Sequence, residues 1–99
     1  MTNVLRARSH QQTEADSVSG PSSYTSGDGF SVRSNLGRVD QVDPEIDNNL
    51  WEARLDSIAS NNTMVFQFFS QSTSGASAPE APDGTDFSGD KVHWTAHRL

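Results

Sequence analysis

A chain of 99 residues in which 32% of side chains are hydrophobic has room for one small domain and little apolar material to fill it. It holds no Cys, which excludes a disulfide framework and a thiolate metal site, and no apolar window approaches the ~20 residues that span a bilayer or the apolar centre of a leader peptide. With Asp+Glu at 13 against Lys+Arg at 7 the net charge is −6, so phosphate backbones repel the chain and direct nucleic-acid binding is not expected.

In chain order, residues 1–29 read as a polar N-terminal arm, Arg-rich at its start, with His10 as polar surface. Two short strands are expected at Phe30–Arg33 and Arg38–Val42, joined through Asn35-Leu36-Gly37, whose glycine accepts a positive φ. A helix is expected over Pro44–Ser60: Asp43 caps, Pro44 takes the first helical position, and Glu45 and Asp47 complement the positive end. Asn49 with Glu52 three residues on resembles a capping box, which would start the helix at Leu50 instead. In either version Trp51, Leu55 and Ile58 fall at i, i+4, i+7 on one stripe, and Asn61-Asn62 supplies the stop.

Thr63–Gln71 alternates as a strand, with Met64, Phe66 and Phe68 on one face. Residues 72–90 form a Ser/Gly/Pro/Asp linker. Lys91–Arg98 then alternates again, with Val92, Trp94 and Ala96 opposite His93, Thr95 and His97, in the pattern of a strand that adds to a neighbour's sheet edge. The expected fold is therefore a small single α+β domain over 1–99: one short helix packed on a few short strands, with long irregular extended arms and about half the chain in loops. Its parts are the arm 1–29, a hairpin-helix-strand centre 30–71, the linker 72–90 and a C-terminal strand 91–99. Trp51, Leu55, Ile58, Phe66 and Phe68 are the expected core.

Chemistry-bearing constellations are weak. His93 and His97 share a face, with Asp86 and Asp90 shortly before them, but carboxylates in a Gly/Ser loop lack the rigidity of a metal site. Asp83, Asp86 and Asp90 are spaced three and then four apart, unlike the alternate ligands of a calcium loop. The glycine-containing run 26–37 has neither the dinucleotide fingerprint nor a phosphate-loop Lys, and no Gly-x-Ser-x-Gly turn occurs. No enzyme activity, metal or cofactor is expected.

The aromatics are spread over some seventy residues, several in polar surroundings, and Tyr24, Phe30, Phe87 and Trp94, with Val92, are expected to dock on a partner. Such a chain is expected to be a non-enzymatic structural component of a large assembly, binding neighbouring subunits in several copies through arms and aromatic anchors, with neither membrane nor nucleic acid as partner. By compositional analogy the setting is a virus or phage particle, as capsid cement, decoration, head-tail connector or tail subunit, located in the virion or host cytoplasm. The alternative is a small acidic soluble regulator that masks a basic surface on another protein.

Overall fold

The computed structural model describes residues 12–60, 62–71 and 78–99, and these form an all-strand fold. The strands are β1 (Gln12–Ser19), β2 (Phe30–Arg33), β3 (Gln41–Ile46), β4 (Trp51–Ala59), β5 (Thr63–Ser70) and β6 (Lys91–Arg98). They pair antiparallel in two three-stranded sheets, one in the order β1-β6-β3 and the other β2-β5-β4. The inner faces enclose one core: Val42 and Ile46 of β3 and Val92, Trp94 and Ala96 of β6 face Met64, Phe66 and Phe68 of β5. Phe30, Val32, Trp51, Ala53, Leu55 and Ile58 pack against its margins.

The α+β expectation is thus corrected: among the described residues there is no helix, and the segment expected to be one is β3, a turn and β4. The cause is a bulge. Leu55 pairs with Phe66 and Ser57 with Val65, which leaves Asp56 as an extra residue and advances the alternation by one. Trp51, Ala53 and Leu55 point inward with period two, the bulge resets the phase, and Ile58 points inward as well. A strand with one bulge has therefore reproduced the i, i+4, i+7 stripe of a helix. Asp43, Pro44, Glu45 and Asp47 are not helix-start residues either. The Asp47 N–H donates to the Lys91 carbonyl at 2.9 Å, so residues 45 and 43 address β6 while residue 44 addresses the free edge, where proline costs no ladder bond.

β2, β5 and β6 lie where alternation placed them. The expected strand at Arg38–Val42 is displaced to Gln41–Ile46, and it forms no hairpin with β2, since the two belong to different sheets. The polar arm contains β1, a strand of the first sheet, with residues 1–11 outside the described residues. The linker contains core: Ala81 and Phe87 are fully buried, while 72–77 fall outside the described residues.

Phe87 is the plug of the sandwich. Its ring lies 4.5 Å from Phe68, 5.8 Å from Tyr24 and 6.2 Å from Trp51, the last two edge-on. Two connections are sewn together to hold it there: the Phe87 N–H donates to the Pro21 carbonyl at 2.8 Å, Tyr24 N–H to Thr85 at 3.0 Å and Gly84 N–H to Tyr24 at 2.8 Å. Gly20 is obligatory at this seam, because a Cβ there would stand 2.6 Å from both the Cβ and the carbonyl oxygen of Phe87. Residues 79–81 continue the line of β2 along β5, with Ser70 N–H donating to Pro79 and Ala81 N–H to Phe68.

Candidate functional site

Four strands are sheet edges, and the edges of β3 and β4 lie on the same side of the molecule. Between them, below the turn that joins them, is an open cleft of about 960 Å3. Asn48 frames it: its side-chain amide donates to Asp90 Oδ2 at 2.9 Å, its Oδ1 accepts the Leu50 N–H at 2.7 Å, and its carbonyl accepts from Gln71 Nε2 at 3.1 Å. Gln71 Nε2 also donates to the Trp51 carbonyl. One asparagine thereby ties the ends of β3, β4, β5 and the lead-in to β6, and the cleft has a fixed floor.

Its walls are acidic. Glu45, Asp47, Glu52 and Asp90 line it, and among the described residues no Lys, Arg or His does. Asp47 is bonded to His93 Nε2 at 2.7 Å and Glu52 to Arg54 at 2.7 Å, so two of the four carboxylates meet a nitrogen partner from outside the lining. Apolar surface sits among them: Pro44 and Ala53 from the two edges, and Leu50, 70% exposed at the rim. Leu50 is the larger outlier of two exposed large hydrophobics among the described residues, the other being Leu99. Sequence reading set Leu50 within the expected helix and so missed the cleft. The signal available was Asp-Asn-Asn at 47–49, a turn composition.

A second cluster is structural. Tyr24 Oη donates to Glu80 Oε2 at 2.5 Å and accepts the buried Phe68 N–H at 3.3 Å. Glu80 also accepts the Gly27 N–H at 2.9 Å. Burial, then the bond to Glu80, pushes the Tyr24 hydroxyl well above the usual tyrosine range. At Glu80 partial burial works against the charged form, but bonds from Tyr24, Gly27 and Ser26 outweigh it and hold its pKa below the ordinary value. Asp40 is lowered chiefly by the Leu99 N–H and then by Arg38, and Asp86 by Ser88.

The residues expected to meet a partner fall largely inside the molecule. Tyr24 and Trp94 are 1% and 5% exposed, Val92 and Phe87 are fully buried, and Phe30 is half-buried against Phe68. β6 is the central strand of its sheet with both edges paired, so it has no edge to offer a neighbour. Of the expected core, Phe66 and Phe68 are fully buried, and Trp51, Leu55 and Ile58 pack on the core margin. His93 and His97 lie on the outer face of the first sheet, each beside a carboxylate, Asp47 at 2.7 Å and Asp43 at 3.8 Å. Four residues along a strand sets their backbones ~13 Å apart, too far to share one metal ion. Among the described residues no group of three or more metal-ligating side chains converges, and no helix is long and apolar enough to cross a membrane.

Compared with known proteins, the chain matches no family model, no curated protein and no solved structure.

Proposed function

We propose that the chain is a non-enzymatic structural subunit of a larger protein assembly, present in several copies, of the kind that serves as an accessory subunit of virus and phage particles. The observation that carries this reading is the cleft between β3 and β4: a framed groove that mixes exposed apolar surface with carboxylates, set along two strand edges. That composition suits a polypeptide occupant better than a small polar substrate, because apolar contact and charge are both supplied along a length of backbone. The aromatic side chains of the core hold the subunit together and leave binding to the edges and the groove.

The acidic lining and the net charge of −6 also favour a second reading, a soluble regulator that masks a basic surface on another protein. Sedimentation velocity on the purified chain, across about 10 µM to about 1 mM at physiological salt, separates the two. A subunit present in several copies shows concentration-dependent association. A chain that stays monomeric throughout refutes the multi-copy subunit and leaves the regulator, whose complex would weaken steeply between about 50 and 200 mM salt.

A further inference from the structure

We infer that the cleft between β3 and β4 receives the Arg6-Ala7-Arg8 segment of a second copy of this chain, a head-to-tail contact that rests on the assembly reading and names its occupant. Charge comes first. Residues 1–8, MTNVLRAR, carry two arginines and no acid, in a chain whose acids outnumber its cations almost two to one. Among the described residues the cleft is lined by four carboxylates, two of them beside His93 or Arg54, and by no cationic side chain.

Spacing agrees. Arg6 and Arg8 are two residues apart, as are Glu45 and Asp47 at the β3 rim, and in extended backbone that interval is ~6.6 Å on one face. Val4 and Leu5, directly before the arginines, are apolar residues to set against Leu50 and Pro44. Pro44 offers the free edge a carbonyl and no N–H, so an added segment is held by its side chains more than by a backbone ladder. Arginine, which binds carboxylates in two-pronged fashion, is the residue for that task.

Geometry favours an intermolecular contact. β1 begins at Gln12, opposite Arg98, whereas the cleft lies level with the other end, where Val18 and Ile46 both pair with Val92. From Gln12 that level is ~20 Å along the strand and, since β1 and β3 are opposite edges of their sheet, ~10 Å across it. Arg8 stands four residues before Gln12, a reach of at most ~14 Å of backbone, so seating both arginines in their own cleft would stretch tether and side chains to their limit, whereas a second copy's segment carries no such constraint. One copy's segment in the next copy's cleft is a heterologous contact, which propagates into a ring or filament.

The test uses full-length chain in sedimentation velocity, with near-ultraviolet circular dichroism confirming the fold of each variant. Wild type associates as concentration rises. Arg6→Glu with Arg8→Glu, or Glu45→Lys with Asp47→Lys, is expected to raise the self-association Kd by about tenfold or more. All four substitutions in one chain restore it, because the charges have exchanged places. Association that survives either double reversal leaves the assembly reading intact and removes this contact. Loss on the cleft reversal alone, or failure of the fourfold variant to recover, gives the cleft a different occupant and also overturns the inference. A wild type that is monomeric throughout removes both.

Discussion

Tyr24→Phe deletes one oxygen and leaves the ring in place, so its cost isolates the hydroxyl. That oxygen donates to Glu80 at 2.5 Å and accepts the Phe68 N–H at 3.3 Å. Losing a hydrogen bond to a carboxylate is worth about 1.5–3 kcal/mol, and a buried N–H left without an acceptor costs about 1–3 kcal/mol. Glu80 keeps its bond from Gly27 and is only partly buried, which discounts the first figure; the sum expected is about 2–4 kcal/mol. In a domain of this size that lowers Tm by roughly 10–25 °C. Urea unfolding followed by the fluorescence of Trp51 and Trp94 measures it, as a lower midpoint at unchanged slope. A loss below about 0.5 kcal/mol, the scale of an ordinary surface change, would refute the assignment of this pair as the lock between the 78–90 connection and β5.

Trp94→Ala is expected to destabilise the free chain by about 3–5 kcal/mol, since the indole fills the space between the sheets; unfolding that is unchanged while association weakens would put Trp94 on an interface instead. Gly29→Ala is expected to cost about 1–3 kcal/mol in thermal unfolding, because φ is +79° and a Cβ would stand 2.7 Å from the Phe66 carbonyl oxygen; a neutral outcome would contradict that backbone conformation. Glu80 has its folded pKa below the ordinary 4.5, so its stabilisation is complete above that value and lost as pH falls through it towards the folded value. Acid unfolding of Glu80→Gln should accordingly show a shallower limb below about pH 4.5 than wild type, and identical limbs would remove the linkage.

Legibility in the sequence followed the regularity of alternation. β2, β5 and β6 alternate without interruption and were readable, including the division of Val92, Trp94 and Ala96 from His93, Thr95 and His97. β1 was not, because its sequence QTEADSVS gives the core only Val18 and resembles the loops around it; its pairing is specified by the partner strand β6. Phe87 and Tyr24 looked isolated because the residues that surround them come from distant segments. Phe87 is gripped by Pro21 and packed by Phe68, contacts that no local window contains. The cleft was hidden for the same reason, since it is built where the ends of four strands meet around Asn48.

Residues 51–58 carry the sharpest disagreement between a helix and a strand, and a deletion decides it. With Asp56 removed, the partners Leu55 with Phe66, Ser57 with Val65 and Ile58 with Met64 follow one another in regular antiparallel alternation. Every inward side chain stays inward. What is lost is the local twist of the bulge, together with an exposed carboxylate, so the deletion should cost no more than about 1 kcal/mol. In a helix the same deletion rotates Ile58 by about 100° out of line with Trp51 and Leu55, at a cost of several kcal/mol. Deleting Arg54 is the control, because it sends Trp51 and Ala53 to the outer face and pulls Glu52 inward. The strand assignment therefore requires a mild deletion at 56 and a severe one at 54. Equal severity at both sites would mean that the phase of β4 is not set by the bulge.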